Sequence, residues 1–399
     1  MTTAVISNQV SQKQISDAEK ILPMWKIIFS QFVEHRMAVA GLIIICFYVA
    51  IALSAPLIKK ITGLDPEKQN PLSRYQKMMT TSQASSSQKE DAITLFIQNQ
   101  PDQAKTLQDE IVAKNLIQVV RSEDALFDLV NKDSIEMKKV ISQLEAPAKA
   151  ELIKITKSFE VFHLFGTDEL GRDVFIRLVY GTRVSMGVGV LVAIASALIG
   201  LLIGSFSGYH GGIVDTALMR VTDALLSLPT TPILIVVAAV DLDKVPGARL
   251  IVSTSNENIM KLVVILVLFS WMQAARLVRA SVLSLREREF ILAAKTMGAK
   301  DTTIIFRHLF PNVIAPLLVS VTLGVGNSIL YEAALSFLGL GIQPPTPSWG
   351  NMLFNAQELI TEAPFLAILP GLQILFVVMS FNYLGDGLQD AIDPKAIRR

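Results

Sequence analysis

Leu285 to Pro311 reads LREREFILAAKTMGAKDTTIIFRHLFP, a polar, mostly basic interruption between two long apolar runs. Its first half has helical spacing. Phe290, Ala294 and Met297 fall at i, i+4 and i+7, so the pattern predicts that they share one face. Gly298 is a stop signal, because glycine adopts the left-handed conformation that ends helices at little cost. Asp301 is expected to cap a second helix and Pro311 to close it. Two short helices joined at a glycine make a compact knob, and between two membrane spans such a knob protrudes from the bilayer.

Composition agrees with a membrane setting. Of 399 residues 51% are hydrophobic and 18% charged, with mean hydropathy +0.47; soluble domains carry roughly 25% charged residues. The net charge of +1 leaves no basic footprint for nucleic acid. The single cysteine, Cys46, lies in an apolar run, which excludes an intrachain disulfide and a cysteine metal cluster. The first apolar run starts near Met37 and is too long for the core of a cleavable signal, so it reads as an anchor.

Crossing the hydrocarbon core takes roughly 20 apolar residues. Six runs qualify, at about 37–58, 184–206, 217–241, 258–279, 312–335 and 365–385. Pro229 and Pro232 are expected to bend the third and free backbone carbonyls, which suits a pathway wall or a static kink. Residues 1–20 read as disordered and 21–36 as an amphipathic helix lying on the cytoplasmic face. Arg276, Arg279, Arg286, Arg288, Lys295, Lys300 and Arg307 crowd one inter-span segment, and Lys395, Arg398 and Arg399 the tail. The loop 336–364 has no Lys or Arg, so the positive-inside rule places both termini and the knob in the cytoplasm. Arg172, Arg177 and Arg183, ahead of the second span, run against the rule.

Residues 59–160, rich in Gln, Ser, Lys and Glu, have no membrane-length run; TLFIQ, LQDEIVAKNLIQVV, ALFDLV and IEMKKVISQL carry helical spacing, with Asp102, Ser122 and Ser134 as caps. The expected organisation is therefore a tail and interfacial helix at 1–36, a first span at 37–58, a helical extracytoplasmic insert at 59–160, a five-span core at 161–390 containing the loop 285–311, and a tail at 391–399.

Several strings now add up. FGTDELGRDVFIRLVYGTRVS (165–185), GYHGGIVDTALMRVTDALLSLP (208–229), SLREREFILAAKTMGA (284–299), EAALSFLGLGIQPPTPSWGNML (332–353) and FNYLGDGLQDAIDP (381–394) together closely resemble the C-type permease subunits of the dipeptide/oligopeptide/nickel ABC importer family. The resemblance covers about 20–58 and 160–394 and omits the insert. Within it, 285–311 resembles the cytoplasmic coupling loop, whose pattern is Glu-Ala-Ala, three residues, Gly, then Leu-Pro. Ala293, Ala294 and Gly298 match and Pro311 holds the proline position, while Leu292 stands for the usual Glu and Phe310 for the leucine. With the acid missing, shape and apolar contact are the expected docking forces.

The resemblance implies an all-α polytopic membrane protein with the six-helix ABC importer type I permease fold. It implies a sister permease as heterodimer partner, two ABC ATPase subunits that hold the ATP and magnesium, an extracytoplasmic solute-binding protein, and no cofactor on this chain. The coupling residues it points to are Glu289, Phe290, Ala293, Ala294, Met297, Gly298, Ala299 and Asp301. Peptides are the first expectation for substrate, with nickel as the alternative.

The remaining candidates are structural or gating. Gly200, Gly204 and Gly208 repeat every four residues, which suits close packing against a sister span. Asp168 is expected to cap a short surface helix ahead of the second span. Asp215, Arg220 and Asp223 have two readings, pairing at an inner gate or simply marking the interface, and Asp386 and Asp390 after the sixth span have the same two. The stretch 336–350 reads as an outward turn with Trp349 at the interface. Glu332, an acid in a span, has two readings: an interfacial acid within reach of water, or a partner for a peptide ammonium group.

Other classes lack their signatures. No G-x-x-x-x-G-K-[ST] occurs, so ATP hydrolysis is expected on another polypeptide and this chain is expected to be non-catalytic. There is no H-E-x-x-H and no G-x-S-x-G, and His35, His163, His210 and His308 are scattered. A passive channel or ion-coupled transporter needs polar relays in the spans, which offer few.

Overall fold

Long apolar runs become long helices here because a bilayer leaves the backbone no other way to satisfy its N–H and C=O groups. The computed structural model describes residues 24–69, 74–82, 161–240, 257–354, 360–361 and 363–392. Among them the helices are α1 (Met24–Glu34), α2 (Arg36–Thr62), α3 (Val174–His210), α4 (Gly212–Leu226), α5 (Thr230–Ala239), α6 (Glu257–Leu285), α7 (Glu289–Thr296), α8 (Asp301–Thr303), α9 (Phe310–Phe337) and α10 (Phe365–Ile392). Five of these runs are long and apolar enough to cross a membrane, and α4 with α5 makes a sixth if the pair is one span. The chain is an all-α polytopic membrane protein. Residues 1–20, expected to be disordered, the basic C-terminal tail and all of the insert except 59–69 and 74–82 lie outside the described residues.

The third expected span is not a gently bent helix. α4 and α5 meet at 84°. The break falls at Ser227–Pro229, where Pro229 is extended at φ −66°, ψ 111°; a residue before proline, here Leu228, is pushed out of the helical region. Pro232 does not share in the bend. It sits in the first turn of α5, where a missing N–H costs nothing because that donor has no helical partner.

The chain divides into two compact units, Ile58–Arg177 on one hand and Met1–Leu57 with Leu178–Arg399 on the other. The smaller unit holds a two-stranded antiparallel ribbon, β1 (Thr80–Ser82) and β2 (Val161–His163), in the register Thr80 opposite His163. Asp168 does not cap a helix. Its carboxylate accepts the Leu170 and Arg172 backbone N–H groups at 2.9 Å and the Arg172 guanidinium at 2.7 Å, with Arg177 at 3.3 Å. The cap of α3 is Asp173, which accepts the Ile176 N–H at 3.0 Å. No separate helix precedes α3 among the described residues, because the helix that begins at Val174 runs straight into the apolar run. Arg172 and Arg177 are buried and paired, so two of the three cations that oppose the positive-inside rule are neutralised locally.

In the larger unit, α1 falls within the stretch 21–36, and His35 breaks it from α2. Phe32 packs there with Ala38 and Ala391. α3 and α6 approach through the glycine repeat. A methyl at Gly200 would come within 2.6 Å of the Ala274 Cβ, at Gly204 within 2.4 Å of the Ala275 carbonyl oxygen, and at Gly208 within 2.9 Å of the Arg279 carbonyl oxygen. The span that the glycines pack against thus belongs to this same chain. Gly187, on the same helix, faces open space. Gly204→Ala is therefore expected to cost about 1–3 kcal/mol by overpacking, read as a lower thermal midpoint in detergent, while Gly187→Ala stays neutral or slightly stabilising.

Candidate functional site

The interruption after Leu285 folds as a knob whose underside is continuous with the core of the spans. α7 buries Ile291 and Ala294, and the following turn buries Ile304, Ile305 and Leu309. These five pack in one cluster with Leu201 and Tyr209 of α3, Ala274, Val278 and Val282 of α6, and Val313 and Leu317 of α9. A cluster spanning three spans and the knob leaves no hinge between them.

The expected face splits. Ala294 is 3% exposed, whereas Phe290 is 44% and Met297 81% exposed. The buried side of α7 is centred between Ile291 and Ala294, and Met297 is the C-cap, past the last helical residue. Ala294 is thus a packing residue. The outer surface carries Phe290, Leu292, Ala293 and Met297, beside Glu289.

Gly298 ends α7 at φ +79° with open space where a Cβ would stand, so its conformation and not its size is required. Gly298 N–H donates to the Lys295 carbonyl at 2.9 Å and Ala299 N–H to the Ala294 carbonyl at 3.1 Å. That is the paired pattern of a Schellman C-cap. Asp301 does not cap the next helix. The N-cap is Lys300, and Asp301, one position on, accepts the Tyr209 hydroxyl at 2.6 Å. The Lys295 ammonium lies 4.8 Å above the ring of Tyr209, a cation–π contact. One tyrosine at the end of α3 therefore grips both halves of the knob.

Pro311 does not close the second helix. Asp301–Phe337 is continuous, passing through a π-helical turn at Ile304–Leu309. Phe310 N–H donates to the Ile305 carbonyl, five residues back. The wider turn carries the chain past Pro311, which lacks a donor and would crowd the carbonyl four residues behind.

Beside the knob, Asp215 of α4 accepts both nitrogen arms of Arg279, with its Oδ2 2.6 Å from Nη2, and also accepts the Ser207 hydroxyl. Arg286 donates to the Gly208 carbonyl at 3.3 Å. The expected grouping of Asp215, Arg220 and Asp223 is replaced by cross-helix pairs. Asp223 lies 3.6 Å from Arg276, and Arg220 joins neither pair. Asp215 and Arg220, five residues apart, do not share a helix face, and α6 offers Arg279 to Asp215 and Arg276 to Asp223. Asp390 lies 3.7 Å from His35, joining the end of α10 to the break before α2.

At the other end of α9, Glu332 is wholly buried. It accepts the Ser185 hydroxyl at 2.9 Å and the Ser336 hydroxyl at 2.8 Å, and is hydrogen bonded to Ser348. It is out of reach of water, because the 336–350 loop folds down over it. Trp349, expected at the interface, is fully buried, edge-on to Tyr48 with centroids 5.8 Å apart, its backbone N–H 3.1 Å from the Ser185 oxygen. Asn351 holds the loop's shape, donating to the Thr346 carbonyl and accepting the Ser348 N–H at 3.1 Å.

Between α3, α5, α6 and α9 lies a cavity of about 230 Å³. Thr230, beside the break, lines it; Pro229 and Pro232 do not. Tyr209, Arg279 and the cavity were missed as site features. For Arg279 the signal was available, since an Arg at the end of an apolar run demands a partner.

Residues 200–398 match the family described as "Binding-protein-dependent transport system inner membrane component", and residues 23–77 match "N-terminal TM domain of oligopeptide transport permease C". The dipeptide transport system permease protein DppC of Alkalihalophilus pseudofirmus is 43% identical over 233 residues, 58% of this chain and 72% of that protein. The glutathione transport system permease protein GsiD of Pectobacterium atrosepticum is 40% identical over 233 residues, 58% and 73% of the two chains. The oligopeptide transport system permease protein OppC of Bacillus subtilis is 38% identical over 233 residues, 58% and 72%.

The split face of α7 has a direct consequence. Ala294→Glu places a charge in the apolar cluster and is expected to abolish stable folding, a loss of about 3 kcal/mol or more. Met297→Glu is expected to leave the thermal midpoint in detergent within about 0.5 kcal/mol of the parent.

Proposed function

The chain belongs to the family of binding-protein-dependent transport system inner membrane components, and from that membership we propose that it is one of two permease subunits of an ATP-driven importer of di- or oligopeptides. The names of the relatives, which refer to dipeptides, glutathione and oligopeptides, support a peptide cargo. The partners are a sister permease, two ATPase subunits that bind ATP and magnesium, and an extracytoplasmic binding protein. The chain itself catalyses no bond change; the chemistry resides on the ATPases.

The observation that carries the reading is a knob with two unlike sides. Its underside, Ile291, Ala294, Ile304, Ile305 and Leu309, is fixed to three spans. Its outer side presents Phe290, Leu292, Ala293 and Met297 to a partner. An ATPase groove that takes up those apolar groups moves the knob, and the packed cluster carries the displacement into α3, α6 and α9. Transport follows as alternating access, in which ATP-driven closure of the motors favours one arrangement of the spans and hydrolysis returns the other. Glu289, Gly298, Ala299 and Asp301 serve this surface by shaping and anchoring it.

Phe290→Asp with Met297→Asp in the assembled transporter is expected to lower peptide uptake into proteoliposomes more than about tenfold and to lose the ATPases on purification. Uptake and copurification at parental levels would refute docking at this surface. In a Cys46→Ser background, Met297→Cys is expected to react with a membrane-impermeant maleimide in inside-out vesicles and not in intact cells. Labelling from outside would reverse the orientation.

A further inference from the structure

The cavity between α3, α5, α6 and α9 is lined at one level by Ser196, Gln273, Asn327 and Tyr331, and no charged side chain lines it. Polar side chains inside a span are costly unless partnered. Here one buried hydroxyl has no partner. The Ser196 hydroxyl is buried with no hydrogen bond, on a residue only 4% exposed. Gln273 and Asn327 are exposed and Tyr331 is half-buried, and none of the three makes a hydrogen bond among the described residues. Ser270 and Ser328, in the same wall, differ: each bonds back to a carbonyl of its own helix, at 2.7 and 2.8 Å. Two classes of polar residue therefore share one wall, one bonded to its own helix and one with no hydrogen bond to any described residue.

The unsatisfied set has a definite chemistry. Two carboxamides, Gln273 and Asn327, supply paired donors and acceptors, and four hydroxyls, Ser196, Thr230, Ser320 and Tyr331, can turn either way. A ligand that complements them is neutral and offers an N–H beside a C=O. A free ammonium or carboxylate finds no counter-charge there and would be desolvated without compensation. We propose, resting on the peptide-importer reading above, that this cavity is a transit site in this subunit that binds the amide units of the peptide backbone and ignores termini and charged side chains. Its volume of about 230 Å³ is below the roughly 300–1,000 Å³ of pockets that enclose whole ligands. It therefore holds one stretch of backbone at a time. Recognition by backbone alone suits a pore that passes peptides of many sequences after a binding protein has selected them.

The test compares import of tri-alanine and of its analogue N-methylated at the internal amides, by the assembled transporter in proteoliposomes with the binding protein saturated. Both peptides carry the same termini and side chains. Gln273→Leu with Asn327→Leu is expected to slow tri-alanine import about tenfold and the N-methylated analogue much less. The ratio between the two peptides then shrinks, and selection by the unaltered binding protein cancels from the comparison. An unchanged ratio, or a changed preference among peptides of different charge, overturns the transit site while leaving the importer reading intact. A parent transporter that imports no peptide overturns both. Should the double variant fail to assemble, Ser196→Ala removes a hydroxyl the fold does not use and is expected to slow tri-alanine import about two- to fivefold; no change overturns the site.

Discussion

The apolar contact beneath the knob is the constraint on which the rest depends. A polar loop between two spans would ordinarily float, since the bilayer gives it nothing to pack on. Here Ile291 and Ala294 of α7 and Ile304, Ile305 and Leu309 of the following turn join side chains from α3, α6 and α9 in one buried cluster. Close-packed interiors shift between discrete arrangements and transmit strain; they do not stretch. A force applied to the outer face of α7 therefore reaches three spans together. Tyr209 adds orientation to this packing, gripping Lys295 on one side of Gly298 and Asp301 on the other.

Charge in the apolar spans follows the same economy of partners. Arg279 would be costly in its helix, and Asp215 from α4 meets it with both carboxylate oxygens. Glu332 is surrounded by serine hydroxyls and a folded-down loop, and so acts as a fastener between α3, α9 and 336–350. In the smaller unit Asp168 gathers Arg172 and Arg177. A rule that counts formal charges treats these two arginines as exceptions; paired and buried, they are weaker topological signals than their number suggests. In the cavity wall the buried hydroxyl of Ser196 lacks a hydrogen bond, beside the exposed amides of Gln273 and Asn327.

Local sequence fixed what local physics controls. Membrane-length hydrophobic runs announce the spans, the four-residue glycine repeat announces a close helix crossing, and a glycine after a short periodic stretch announces the end of α7. The knob, its place between spans and the family resemblance were legible for that reason. Prolines were read less well. Pro229 and Pro232 look alike in sequence, yet only Pro229 stands at the break, and Pro311 is absorbed by a π turn. What a proline does depends on whether its missing N–H had a partner, and sequence does not state that.

Sequence alone thus determined an all-α polytopic chain with a polar knob after its fourth apolar run, because hydropathy and helical periodicity are properties of neighbouring residues. Tertiary structure decided which way each side chain of the knob points, that Ala294 is packing and Met297 surface, that Glu332 and Trp349 are core, and that Arg279 meets Asp215 across 64 positions of chain. These depend on which element comes to lie against which face, a matter of long-range packing that the amino-acid order encodes but does not display.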